Sequence, residues 1–233
     1  MLRSAAESPQ RAGAIDAGED RRPLWWYARV IQRHCPDGGR LIEFGCGNGR
    51  LLEYLTPDFE TFGYDDDPAL RHHCRAAVPD AVILEDWSEA EPESFDVVVA
   101  VGGWHGLPRS VSAIASLAEK VVNGGVLFVV APNPGGLAHR LKGNGWFAGG
   151  TGGKLGLLSR GEWMTLMRKA NLKVVDMESD GLWDAPYLPL IPAAVQRAVC
   201  DVPEAVQSYW PISRSLWPAA AGECLLITAR KGS

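Results

Sequence analysis

LIEFGCGNGRLLEYL, from Leu41 to Leu55, ends an apolar run in three alternating glycines, Gly45, Gly47 and Gly49, and then passes into a helical pattern. An acid, Glu43, stands two residues before the first glycine, and Arg50 follows the last. A strand that turns through glycines into a helix makes a corner where a ligand can approach the backbone closely. The spacing is G-x-G-x-G. The dinucleotide fingerprint G-x-G-x-x-G needs glycine at position 50, so Arg50 argues against a nicotinamide cofactor. Glu43 would sit badly beside a pyrophosphate but suits a ligand carrying an ammonium group.

The same alternation continues on both sides of the corner. PLWWYARVIQRHC carries apolar residues at helical spacing, with Pro23 suited to a first turn. RLIEF reads as a strand and NGRLLEYLTP as a helix stopped by Pro57. FETFGYD reads as a strand with an acidic end. DPALRHHCRAAV reads as a helix capped by Asp67, with Pro68 at its first position. AVILED and FDVVVAVGG read as strands, PRSVSAIASLAEKVV as a helix capped by NGG, and VLFVVAPNP as another strand. Continuously apolar strands alternating with helices predict an α/β fold: a Rossmann-like, doubly wound, mostly parallel seven-stranded sheet with helices on both faces.

Later segments complete the sheet. SRGEWMTLMRKANL predicts a helix with a capping box from Ser159 and Glu162. KVVDMES and ECLLITARK predict the last two strands. The glycine-rich stretch from Gly135 to Leu158 reads as irregular: a lid, a substrate loop or a partly disordered segment. The proline- and aromatic-rich segment at about 181–221 reads as an insertion or cap folded against the sheet, and residues 1–20 as a flexible leader to a single domain over 21–233.

The acids after the corner define what it holds. GYDDDPAL ends the second strand about 20 residues on, where an acid can bind ribose hydroxyls; Asp65 is that acid, since Asp67 serves as a cap. In LEDW, Asp86 can accept a hydrogen bond from an adenine amino group, and Trp87 can stack on the ring or close one side. Each acid taken alone also reads as a turn residue or cap. The ordered combination of strand, glycine corner, acid, strand and acid favours a nucleoside ligand.

Over Leu41 to Pro134 this order resembles the class I S-adenosylmethionine (SAM) dependent methyltransferases, and more specifically the small-molecule type similar to quinone-biosynthesis methyltransferases. EFGCGNG matches the first motif, GYDDDPAL the ribose-binding strand end, LEDW the adenine loop and FDVVVAVGGWHGL the fourth strand. The resemblance implies that Gly45, Cys46 and Gly47 approach the methionine portion of SAM and that Glu43 orients its amino end. It implies that Asp65 binds the ribose, that Asp66 and Trp87 border the adenine and that Asp86 binds its amine. Val101 would offer a backbone carbonyl to the ammonium group. The chain departs from that type at two places: Gly106 and Lys154 stand where histidines are usual.

Transfer of a methyl from a sulfonium needs alignment and exclusion of water, and a base only where the acceptor must lose a proton. His105 and His139, both in loops after strands, are the candidate catalytic bases; both also read as loop histidines. Trp183, Tyr187 and Trp210 could line an acceptor pocket or simply bury the insertion. The expected reaction is methyl transfer to a small-molecule acceptor at oxygen. Transfer to nitrogen or carbon, and a SAM-binding domain without catalysis, are the alternatives.

Composition sets the outer bounds. Of 233 residues, 46% are hydrophobic and 22% charged, which suits a globular domain able to bury a sizeable core. The net charge of −5 disfavours nucleic acid as partner or substrate. Five cysteines without a CxxC pair suggest neither a disulfide framework nor a zinc site, so no metal is expected and a reducing cytoplasm is the expected location. No apolar run reaches membrane-spanning length. Oligomeric state is not encoded in any of these features.

Overall fold

The computed structural model describes residues 22–101, 111–148, 157–209 and 221–232. The chain runs α1 (Leu24–His34), β1 (Arg40–Phe44), α2 (Arg50–Leu55), β2 (Glu60–Tyr64), α3 (Pro68–Ala77), β3 (Val82–Ile83) and β4 (Phe95–Val101). It continues through α4 (Val111–Lys120), β5 (Val121–Pro132), α5 (Leu137–Lys142), α6 (Arg160–Lys169), β6 (Leu172–Ser179), α7 (Ala193–Tyr209) and β7 (Cys224–Lys231). The strands form one seven-stranded sheet in the order β3-β2-β1-β4-β5-β7-β6. The first five run parallel, and β7 lies antiparallel between β5 and β6.

The continuous apolar runs bury both faces of the sheet. In β4, Val97, Val99 and Val101 pack with Leu41 of β1 against α1, α2 and Cys74 of α3. Val98 and Ala100 point the other way, joining Ile42, Leu127 and Ile227 against α4 and α6. This is the period-two alternation of a strand with a helical layer on each side.

Strand direction fixes where ligands gather. β1, β2, β4 and β5 all end on one edge. Because Pro132 pairs with Cys224, and Ser179 with Leu225, the start of β7 and the end of β6 reach the same edge. In open α/β sheets this carboxyl edge is where sites form.

Several elements differ from expectation. α2 begins only at Arg50, because Gly49 before it has a left-handed φ of 86°. The expected strand over AVILED pairs only at Val82 and Ile83. NGG does not cap α4: the helix stops at Lys120, Val121 already pairs with Phe95, and Asn123–Gly125 forms the bulge before Val97 pairs with Val126. Branched valines at 121 and 122 favour the strand, and Gly124, with φ of 80°, absorbs the shift. The glycine-rich stretch contains a short helix, α5, and the insertion contains the long α7. Among the described residues no helix is long and apolar enough to cross a membrane.

Candidate cofactor and acceptor site

β1 ends in Phe44, and the chain turns through the glycine corner at the carboxyl edge. Gly45, Gly47 and Gly49 all have positive φ, 77°, 55° and 86°. The backbone amides of Gly45 and Cys46 both donate to the Tyr64 carbonyl, at 2.7 and 3.0 Å, so the corner is pinned to the end of β2. A side chain on Gly49 would press into Cys74 and Val78, whereas one on Gly47 would meet nothing within 4 Å. Gly49 is thus required by packing, and Gly47 opens onto free space.

Glu43 is buried, and its Oε2 has no hydrogen-bond partner among the described residues. Burial pushes its carboxyl well above the ordinary value; neighbouring Cys74 and Asp65 add to this, and the Arg22 guanidinium opposes it. An orphaned buried acceptor of this kind is completed by a cationic hydrogen-bond donor.

Asp65 accepts hydrogen bonds from the Gly47 amide (3.0 Å) and the Asp67 amide (2.9 Å). It therefore ties the corner to the turn after β2 while staying half-buried. Asp66 is exposed and accepts from the Tyr64 hydroxyl at 2.7 Å, a bond that pushes the phenol up to about 12. Asp67 caps α3 through the Ala69 amide, as its position suggests.

Asp86 is exposed and caps a single 3-10 turn, accepting from the Ser88 amide and hydroxyl. Those bonds hold its carboxyl below the usual range. Trp87 packs edge-on to Phe44 at 4.9 Å and lies 5.9 Å from Tyr64, and its buried indole N–H has no hydrogen-bond partner among the described residues. Val101, the last residue of β4, is buried beside Val130 of β5.

The structure thus brings Glu43, Gly45, Cys46, Gly47, Asp65 and Asp66 to the ends of two adjacent strands, with Asp86 and Trp87 beside them. It also adds residues that sequence reading missed. Phe44 and Tyr64 complete an aromatic wall with Trp87. Their signal was position, an aromatic as the last residue of each strand. Arg71, buried on α3, donates to the Asp65 carbonyl at 2.6 Å and to Glu85 at 3.1 Å, bracing both acidic corners.

A second cluster lies further along the same edge. His139, on α5, has its Nδ1 2.8 Å from the Pro134 carbonyl, and its ring packs on Trp146 at 4.8 Å. A carbonyl only accepts, so Nδ1 carries the proton and Nε2 of the neutral ring is left with a free lone pair. Trp146 Nε1 and the Tyr187 hydroxyl both donate to Glu223, which is fully buried. Asp180 accepts from Tyr27 and from Trp183, both at 2.7 Å, and from the Cys224 amide at 2.8 Å. Burial pushes Glu223 up to about 7 and Asp180 up to about 6, against the pull of those hydrogen bonds. Trp183 and Tyr187 therefore hold the insertion onto the sheet. His105, Gly106, Lys154 and Trp210 lie outside the described residues.

Among the described residues no group of three or more His, Cys, Asp or Glu side chains gathers as metal ligands. A hollow of about 600 Å³ between α6 and the start of β6, lined by Met164, Thr165, Arg168 and Lys173, lies at the opposite edge of the sheet. It shares no residue with the clusters above.

A 28% identical match over 111 residues links the chain to the dTDP-3-amino-3,4,6-trideoxy-alpha-D-glucopyranose N,N-dimethyltransferase of Streptomyces venezuelae. It covers 44% of this chain and 46% of that protein, so the chain spans about half the length of this curated relative. A methyltransferase from Haloferax volcanii, solved in complex with the Trm112 methyltransferase activator, superposes with a TM-score of 0.62 at 18% identity, over 92% of this chain and 91% of that one. An S-adenosylmethionine-dependent methyltransferase from Mesorhizobium loti gives 0.57 at 16% identity, over 89% and 98%. At such identities the structural likeness speaks for the fold. The sequence model described as a methyltransferase domain matches residues 17–177, more than half of the chain, and includes the glycine corner, the acidic strand ends and α5. The chain belongs to this methyltransferase domain family.

Proposed function

We propose that the chain transfers a methyl group from SAM to a small-molecule acceptor, with oxygen as the acceptor atom. The observation that supports it best is the orphaned, buried Oε2 of Glu43 beside the open face of Gly47. The residues present fit the cofactor. Glu43 would receive the ammonium, whose positive charge would favour the carboxylate against the burial that raises its carboxyl. Gly45, Cys46 and Gly47 would leave room for the methionine portion. Asp65 keeps acceptor capacity for ribose hydroxyls beyond its two amide bonds. Phe44, Tyr64 and Trp87 would flank the adenine, with Asp66 and Asp86 at its rim. The Val101 carbonyl would be a second acceptor for the ammonium. When bound, SAM supplies a methyl already activated by its positive sulfur.

The chain's own contribution is placement and one proton. His139 lies after β5, on the edge where the cofactor residues gather, and its Nε2 is free to take the hydroxyl proton as the acceptor is methylated. Trp146 and Pro134 fix the orientation of the ring. His105 is the other candidate for that task. Trp146 and Trp183, both buried, and Phe147 between them, in successive ring contacts of 5.0 and 5.1 Å, form an apolar layer beside His139 that excludes water.

Nitrogen is the second reading, favoured by the relative that dimethylates an amino sugar. Incubation with labelled SAM and a metabolite extract, followed by identification of the labelled product, tests both. An O-methyl product supports the first reading and an N-methyl product the second. SAM binding with no transfer to any component would point to a domain without catalysis.

A further inference from the structure

Both restraints on the His139 ring lead back to one pair of residues just before β7. His139 stands in α5, with its Nδ1 on the Pro134 carbonyl and its ring against Trp146. The loop that carries Pro134 is gripped by Gly222 and Glu223. The Asn133 backbone amide donates to the Glu223 carbonyl at 2.8 Å, and the Asn133 side-chain amide donates to the Gly222 carbonyl at 3.2 Å. The approach is close: a Cβ on Gly136 would lie 2.4 Å from that Gly222 carbonyl. Beyond the other end of α5, Trp146 is buried, and its Nε1 donates to the Glu223 carboxylate. Glu223 is itself tied to the insertion, because its amide donates to the Gly181 carbonyl at 2.8 Å. α5 is therefore anchored on both sides by the same two residues.

We propose that Glu223 is a positioning residue for the acceptor site: it holds the Trp146 indole and the Asn133–Pro134 loop so that the His139 ring presents its Nε2 in one fixed direction. This rests on the reading of His139 as the base. Apolar packing is non-directional and leaves an indole free to turn in its nest. An N–H···O bond has a preferred line and fixes the plane of the ring. The His139 ring packs on that indole with 40° between the planes, so turning the indole turns the face that the imidazole meets.

An acid is a costly residue at this place. Glu223 is fully buried, and desolvation opposes its charge. An apolar residue of similar volume would fill the space without that cost. What the acid adds is two acceptor oxygens on one side chain: one takes the Trp146 indole N–H and the other the Tyr187 hydroxyl. The Tyr187 oxygen also accepts from the Asp184 amide at 3.0 Å, so the brace continues into the insertion. Glu223 thus acts on His139 through Trp146 and through the loop backbone.

Proton–nitrogen correlation spectra of isotope-labelled full-length protein report which imidazole nitrogen carries the proton, with His139→Ala assigning the His139 signals. The wild type should show the Nδ1–H form of the neutral ring alone. Glu223→Leu, which removes both acceptor oxygens, should show a mixture of the two neutral forms. Single-turnover transfer from labelled SAM into a metabolite extract should fall about tenfold or more, while the Kd for SAM stays within about twofold. Trp146→Phe keeps an aromatic face under the imidazole and loses the indole N–H. It should reproduce both effects, and it carries the test should Glu223→Leu not fold. Glu223→Gln offers an oxygen to Trp146 and an N–H to Tyr187, so it should recover most of the loss. A His139 signal that keeps its single form in Glu223→Leu and Trp146→Phe overturns the proposal, whatever happens to stability. Should His139→Ala transfer methyl at the wild-type rate, the assignment of His139 as base falls, and the same spectra still decide whether Glu223 fixes the ring.

Discussion

The Gly47 amide donates to the Asp65 carboxylate at 3.0 Å, so the glycine corner and the acidic end of β2 form one unit before any ligand arrives. Asp65 fixes the corner through its bonds from the Gly47 and Asp67 amides, and in the proposed site its remaining lone pairs are those offered to ribose. Asp65→Ala should lower SAM affinity by about tenfold or more, the worth of hydrogen bonds to a charged group. It should also cost about 1 kcal/mol of stability from the lost amide bonds. Calorimetry with SAM and a denaturant titration measure the two effects. Full SAM affinity in the variant would remove Asp65 from the site.

Arg71 reaches the same unit from behind. Its guanidinium bonds the Asp65 carbonyl and Glu85, and Arg75 holds Glu85 from the other side. Arg71→Met keeps much of the buried stem and removes the fork. SAM affinity should fall severalfold, about 1 kcal/mol, through a residue that the ligand does not touch. Arg71→Lys, a point charge without the fork, should recover only part of it. An unchanged Kd in Arg71→Met would show that the two acidic corners hold their places without the brace.

Much of this site was legible because its parts are local. Gly45, Gly47, Glu43, Asp65 and Asp67 announce themselves through the turn and cap chemistry of adjacent residues, and the parallel order follows from uniformly apolar strands. Asp86 was legible as an acid at a strand end, and the structure shows it engaged as a cap. What could not be read depends on long-range pairing. The Asp180 and Glu223 network joins α1, the loop after β5 and the insertion across up to 153 positions. The helix ending at NGG failed because sheet pairing at Val121 outweighed a local cap signal.

His139 provides the test on catalysis. Its Nδ1 is committed to the Pro134 carbonyl, so Nε2 is the atom that can accept a proton. With an acceptor bearing a hydroxyl, His139→Ala should lower kcat by about 10²–10⁴-fold, the usual worth of a positioned base. The Kd for SAM should stay within about twofold, because the ring contacts Trp146 and not the corner. Single-turnover methyl transfer with the acceptor found in the extract separates the two effects. An unaltered kcat would assign the proton to another group and leave His139 as a packing residue.

The buried pair Asp180 and Glu223 makes stability depend on pH in an unusual direction. Both hold their protons to higher pH in the folded chain than in the unfolded one, about 6 against 3.8 and about 7 against 4.5. Between pH 4 and 7 the folded state therefore binds more protons, and stability falls as pH rises. The contribution is fully present below about pH 4, and each carboxyl loses on the order of 2–3 kcal/mol by pH 8. Glu85, Asp86 and Glu162, held low by hydrogen bonds, have the opposite sign but act below about pH 5. His34, lowered by burial, also opposes within the window, so a comparison between variants isolates the pair. Glu223→Gln keeps the shape of the protonated acid and cannot ionise. The wild type should lose stability in denaturant titrations between pH 5 and 8 at constant ionic strength, and Glu223→Gln should lose markedly less over the same range. Equal slopes in the two proteins would mean that Glu223 titrates as it does in the unfolded chain, and that its bonds to Trp146 and Tyr187 offset the whole cost of burial.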